Sequence, residues 1–382
     1  MNLSARDRIL KTLDGTIPDR VPVCPIVFEN YIRQHYSDPE IDVPEATARF
    51  LADIGADIIH RNCYPWLYLF VQTTGPINDN WQVSIEHGQA ETRKKWNTTI
   101  RTPKGDLSVV CEALPMTRYE DAYAYLELPI EESRDLDVLL EYEPAWSRDD
   151  VDTSALRQAK ILIADRGITC PWVQGVFNFA GLYYRKLQDL LMDPYEDEGF
   201  YRALMAHALE QNWSYLKVLL DSGADALAYG GNMAGGEVGP RFFEQFVLEY
   251  ETELIRRIHN SGGRIIWHNC GKASSLLDLY PKTGMDCFES LAQPPEGDTD
   301  LGEAKSQLGS HMALSGGIDQ KEFLLNASVA EVDQKVAEVL EVMKPAGGYI
   351  LSTVDYLAED TPLENVQALV DAGVEYGHYI PS

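Results

Sequence analysis

The chain has 382 residues, 45% of them hydrophobic, and a formal net charge of −28. The apolar share is ample for a large core, and the length suits two or three small domains or one long α/β barrel. The negative balance argues against nucleic acid and anionic membranes as partners, because both demand clustered Lys and Arg.

In chain order, Ser4-Ala5-Arg6-Asp7 is a capping pattern that opens a short helix ending at Asp14-Gly15. No apolar leader or cleavage signature stands at the N-terminus, and no run approaches the roughly 18 apolar residues of a membrane helix. Six cysteines (Cys24, Cys63, Cys111, Cys170, Cys270 and Cys287) are scattered without framework spacing, so a cytoplasmic protein with reduced thiols is expected. Residues 21–27 read as a first strand despite Pro22 and Pro25, ending in Phe28, Glu29, Asn30 and Tyr31. A helix over 44–54 and a second strand over 56–63, which carries His60, follow.

From about Trp66 to Pro115 the rhythm breaks into short β-type runs, over 81–85, 91–96 and 107–111, split by polar turns. This predicts an antiparallel insertion, serving either as a cover for the barrel side or as a flap over the site. Regular alternation then sets in. Strands are predicted over 168–174, 225–231, 264–269, 285–290, 311–317 and 348–352, with helices between them and a closing helix over 362–372. Short apolar strands that end in polar or Gly residues are the pattern of buried parallel sheets. Eight of them predict a (β/α)8 TIM barrel forming a single domain over 1–382, with its chemistry at the C-terminal strand ends. A doubly wound sheet is the competitor, but no G-x-G-x-x-G or phosphate loop follows any strand.

The strand over 264–269 ends in His268-Asn269-Cys270. Side chains two apart on a strand face one side, so His268 and Cys270 are candidate zinc ligands on the rim. A core His beside a buried Cys is the bland alternative.

The order and spacing of several segments resemble the uroporphyrinogen decarboxylase superfamily and, within it, the cobalamin-dependent methyltransferases. These segments are Gly175-Val176-Phe177-Asn178-Phe179-Ala180-Gly181 with Asp193-Pro194, Gly239-Pro240-Arg241-Phe242-Phe243, His268-Asn269-Cys270-Gly271, Leu314-Ser315-Gly316-Gly317-Ile318-Asp319, and Gly347-Gly348-Tyr349-Ile350-Leu351-Ser352. The resemblance is clearest over about 170–380 and implies the same barrel. The decarboxylases carry an Arg-rich segment after the first strand to grip a polycarboxylate. Here that place reads Phe28-Glu29-Asn30-Tyr31-Ile32-Arg33, acidic and aromatic, which demotes that activity.

The zinc methyltransferases of the superfamily add to His-x-Cys a Cys near the end of the last strand. Asp355 stands at that place, and Glu289, at the end of an intervening strand, is the alternative or fourth ligand. The resemblance therefore implies Zn²⁺ as cofactor and a corrinoid protein as partner, its Co(I) accepting a methyl group from a small donor; homodimers are common in the superfamily. Aromatic residues expected at the rim (Phe28, Tyr31, Trp172, Phe177, Tyr229, Trp267 and Tyr356) suggest a methoxylated aromatic donor, with Asn232 in a family substrate-contact region. Glu29, His60 and Asn178 are the candidates to orient substrate or protonate the leaving phenolate. The rival readings are a metal-free decarboxylase of a smaller acid, with His268 as general acid, and a non-catalytic scaffold that kept the barrel.

Overall fold

The computed structural model describes residues 3–63, 67–90 and 93–379. Trp66, where the predicted insertion begins, and Glu91, which opens one of its β-type runs, lie outside the described residues. The strands, in chain order, are β1 (Ile58–His60), β2 (Gln82–Ala90), β3 (Arg93–Thr102), β4 (Gly105–Pro115), β5 (Asp121–Glu127), β6 (Gly167–Thr169), β7 (Trp172–Gln174), β8 (Leu227–Gly230), β9 (Ile265–His268), β10 (Cys287–Ser290), β11 (Ala313–Ile318) and β12 (Tyr349–Thr353). All except β2–β5 pair in parallel, in the orders β1-β6 and β12-β11-β10-β9-β8-β7.

Two irregular joints link these sheets into a ring. The predicted strand over 168–174 is interrupted at Pro171, which has no N–H to give the ladder. Its first half pairs with β1 and its second half with β8, and Pro171 O still accepts from Ala228 N at 3.0 Å. The predicted strand over 21–27 is reduced to a single parallel bridge, Val23 to Leu351. Pro22 and Pro25 each remove a donor there, so only the bonds the prolines leave open form. Cys24 N donates to Leu351 O (2.8 Å), Leu351 N to Pro22 O (2.9 Å) and Asp57 N to Val23 O (2.9 Å). The prolines shorten this strand without opening the ring.

Alternation along the strands sorts side chains into two cores. Ile59, Ile168, Cys170, Ala228, Ile266, Cys287, Ala313 and Ile350 point inward as one apolar cluster, capped from below by Ile9 and Leu13. Leu227, Tyr229, Trp267, Phe288, Leu314 and Leu351 point outward into the helix layer. The capping helix is Ala5–Leu13, with the Ser4 side chain accepting from Asp7 N and Gly15 turning the chain at φ 70°. It is tied to the ring by charge. The buried Asp57 receives Arg8 Nη1 and Arg20 Nη1, both at 2.6 Å, and Val23 N at 2.9 Å.

The antiparallel insertion exists but is larger than predicted. It is a four-stranded sheet in the order β2-β3-β4-β5, reaching Glu127 rather than 115. β5 escaped notice because its burial does not alternate. It is held by pairing with β4, and Tyr123 stacks on Tyr68 with ring centroids 4.2 Å apart. Among the described residues no helix is long and apolar enough to cross a membrane.

The Asp57 joint yields a stability prediction. Asp57→Ala leaves two guanidinium groups without their buried carboxylate, and we expect urea unfolding to show a loss of about 3–5 kcal/mol.

Candidate metal centre and active site

At the C-terminal end of β9, His268 is 3% exposed and Cys270 is a partly buried free thiol. Asp355 follows β12. One ligand atom from each of His268, Cys270 and Asp355 lies within 4.8 Å of the others, and His268 Nε2 is 3.7 Å from Asp355 Oδ2. One soft thiolate, one imidazole and one carboxylate is a donor set that suits zinc and leaves room for a substrate atom. The residues fit the implied metal.

Glu289 occupies a different place from the one expected of a ligand. It is fully buried on β10, in register with His268, and its Oε2 takes Nδ1 of His268 at 3.0 Å. Its Oε1 is engaged by Arg61 of the loop after β1, itself 3% exposed. Glu289 thus stands behind His268: it fixes the proton on Nδ1 and turns Nε2 toward Cys270 and Asp355. Cys287 sits a layer deeper in the apolar interior, where burial pushes its thiol well above the ordinary range.

The charges in this chain are mutually dependent. Burial alone would raise the Glu289 carboxyl, but Arg61 and His268 outweigh it and hold it below the usual carboxylate range. Burial likewise opposes a charged His268, yet Asp355, Cys270 and Glu289 together raise it well above the usual imidazole value. The Asp355 carboxyl is lowered, with His268 overcoming the effect of burial. A proton on His268 is thereby favoured, and a metal held by this cluster would compete with it for Nε2.

The expected aromatic rim divides in two. The Trp172 ring lies 5.2 Å from His268, Phe28 lies 5.6 Å from Trp172, and Tyr356 lies 5.1 Å from Phe28. These three form a packed series of rings leading outward from His268. Four others are corrected. Tyr229 faces outward and its hydroxyl bonds Glu251, whose carboxyl burial pushes up to about 7. Trp267 packs on Tyr229, Phe243 and Tyr280 in the helix layer. Phe177 packs on Phe242. Tyr31 packs on Phe50 and bonds Thr361 O, because the chain turns helical at Glu29 and rotates Tyr31 away from the mouth.

The three candidate acid–base residues also separate. His60 points out of the ring, with Nε2 2.8 Å from Pro44 O, and burial lowers it to about 4. It is a neutral structural imidazole. Asn178 and Asn232 do meet, Nδ2 to Oδ1 at 3.0 Å, and Asn178 Oδ1 accepts from Met233 N. This pair fixes the turn after β8, and none of its bonds reaches the metal cluster. Glu29 lines a cleft of 650 Å³ between the ring's mouth and the insertion, together with Phe28, Asn30, Arg33, Tyr68, Tyr119, Glu120, Asp121, Tyr123 and Tyr356. Phe28 and Tyr356 belong to both the cleft and the series of rings that leads to His268.

Sequence reasoning missed Arg61 and the insertion's contribution. Arg61 was legible: on a strand whose Ile59 points inward, Arg61 shares that side and His60 does not. Glu120 and Tyr123 carried no such signal, because only folding brings the β4–β5 turn across the mouth.

The ring, the inward polar layer and the convergent donor groups of His268, Cys270 and Asp355 define an α/β enzyme-like site at strand C-termini. The chain belongs to the uroporphyrinogen decarboxylase (URO-D) family, whose pattern it matches over residues 107–376. A uroporphyrinogen decarboxylase of Trichlorobacter lovleyi is 28% identical over 177 residues, 46% of this chain and 49% of that protein. A methylcobamide:CoM methyltransferase of Methanosarcina mazei is 24% identical over 180 residues, 47% of this chain and 50% of that protein. The matched region spans about half the length of these curated relatives. A solved methyltransferase structure from Methanosarcina mazei superposes with a TM-score of 0.69 at 18% identity, covering 98% of this chain and 99% of that one, which shows a shared fold.

Two outcomes follow from this geometry. Glu289→Gln keeps all three ligands but loses the carboxylate behind His268. Titration against a chelator should show metal affinity falling about 10–100-fold rather than vanishing. His60, lowered to about 4, stabilises the fold fully above its unfolded value near 6.5, and this contribution is lost as pH falls toward 4. The stability advantage of wild type over His60→Gln should therefore shrink by up to about 3 kcal/mol between pH 7 and pH 4 in urea melts.

Proposed function

We propose that the protein is a zinc-dependent methyltransferase that moves a methyl group from a methoxylated aromatic donor to the Co(I) of a corrinoid carried by a partner protein. The reading takes the ring as a (β/α)8 barrel working at its C-terminal face. The observation that carries it is the convergence of His268, Cys270 and Asp355, with Glu289 and Arg61 behind the imidazole.

When bound, zinc would supply Lewis-acid activation of the donor's oxygen. His268, Cys270 and Asp355 would hold it, and a carboxylate in place of a second thiolate keeps the site hard and electron-poor, which suits an ether oxygen. Glu289 keeps the imidazole oriented. Phe28, Trp172 and Tyr356 offer ring faces to an aromatic donor and keep water from the reacting bond. Loss of the methyl group to the partner's corrinoid would leave the bonding electron pair on the donor's oxygen, and the resulting phenolate would take up a proton. Glu29 is the one expected acid–base residue on the cleft wall, and we assign it to orienting the donor or delivering that proton.

The relatives named uroporphyrinogen decarboxylase give a second reading, decarboxylation of a smaller acid. Glu29, Glu120 and Asp121 on the cleft wall, with Arg33 as the only Lys or Arg among its described lining residues, oppose a polycarboxylate.

Metal analysis should find about one zinc per chain in wild type and little in His268→Ala or Cys270→Ser. A screen with reduced corrinoid protein, spanning methoxyarenes, methanol, methylamines and methyl thiols, should give turnover with methoxyarenes. Demethylation by zinc-free wild type would overturn the reading, and carbon dioxide release without corrinoid would favour its rival.

A further inference from the structure

We infer that the cleft between the ring's mouth and the antiparallel sheet receives an organic ammonium group, with Glu120 as its counter-charge. The inference rests on the methyl-transfer reading and narrows its donor class to a methoxylated arene bearing an amine rather than a carboxylate.

Two of the three carboxylates on the cleft wall already have a cation. Glu29 pairs with Arg33 at 2.9 Å and Asp121 with Lys94 at 2.5 Å. Glu120 has only neutral donors: Tyr356 Oη at 3.0 Å and Asn30 Nδ2 at 3.4 Å. Among the described residues no Lys, Arg or His pairs with it. Its carboxylate is held by those two bonds, and its backbone by Met116 N and Thr117 N, which donate to Glu120 O at 2.9 and 3.2 Å and close the β4–β5 turn.

A second observation points to the same ligand chemistry. Asn30 lines the cleft, is 4% exposed, and its Oδ1 has no donor. An amide oxygen buried without a donor is destabilising, and beside the Glu120 carboxylate an ammonium N–H is a donor that would serve both oxygens. Third, Phe28, Tyr68, Tyr123 and Tyr356 present aromatic rings to the same space, and ring faces attract cations. The counter-argument is Arg33, whose Nε is also without a partner. Its Nη2 is held by Glu29, however, and its charge is thereby offset on a wall that carries two further carboxylates, Glu120 and Asp121.

From Glu120 the contacts run through Tyr356 and Phe28 to Trp172 and His268. An ammonium at one end of this path leaves the aromatic ring and its ether directed along it.

Calorimetric titration of the full-length, zinc-loaded protein at low ionic strength tests this with three probes sharing one ring: para-methoxyphenethylamine, para-methoxyphenethyl alcohol and para-methoxyphenylacetate. The amine should bind about tenfold more tightly than either of the others. Glu120→Gln, which removes the charge and keeps an acceptor for one of the two donors, Tyr356 or Asn30, should abolish that preference while weakening the alcohol far less than the amine. Acetate binding as tight as the amine's, or a Glu120→Gln variant that weakens all three probes equally, would overturn the inference. Because binding is read without corrinoid, the two claims separate. Amine preference without methyl release supports the cation site and removes the proposed function; methyl release from the acetate probe without amine preference does the reverse.

Discussion

The arrangement of the candidate site depends on a buried chain of charges, Arg61 to Glu289 to His268, inside the upper layer of the ring. Neither Arg61 nor Glu289 is affordable alone at such depth, since an unpaired buried charge destabilises by several kcal/mol. Paired, they form a rigid polar plug above an apolar layer of Ile59, Cys170, Ile266, Cys287 and Ile350. The plug sets which nitrogen of His268 faces the mouth. It also makes ligand geometry a property of strand register, because β9 and β10 place His268 opposite Glu289.

The mouth is assembled from parts distant in sequence. Asp355 follows the last strand, Phe28 follows the first ring segment, Trp172 opens the second half of a broken strand, and Glu120 arrives on a turn of the insertion. Their meeting is stabilised by ring-to-ring contacts and by the Tyr356–Glu120 bond. The insertion is thus part of the cleft's outer wall and brings both aromatic and acidic character to it. The same carboxylates that make the wall unfit for a polycarboxylate make it fit for a cation.

Three irregularities sit close to this assembly, and each has a local cause. Pro22 and Pro25 cut the first strand to a bridge, Pro171 splits another, and the helix starting at Glu29 follows Phe28 without a loop. A prediction that extends strands through such points retains the topology and misplaces the side chains beyond them. Tyr31 is the example: on an extended strand it would have shared the mouth, and on a helix it turns into the outer core.

The sequence by itself determined the parallel α/β alternation, the N-terminal capping helix, the presence of an antiparallel insertion, and the pairing of His268 with Cys270 on one rim. These are local properties: apolar periodicity, capping chemistry and the two-residue repeat of a strand. The same repeat also says that Trp267 and Tyr229 cannot share a face with His268 and Gly230, and that Arg61 rather than His60 points inward. Tertiary structure alone decided that Glu289 backs His268 while Asp355 joins the ligand cluster, and that Glu120 crosses the mouth. Those outcomes turn on strand register and on contacts spanning more than two hundred residues, as between Glu120 and Tyr356. No short-range pattern encodes them, because each partner's local sequence is compatible with many neighbours and only the closed ring selects one.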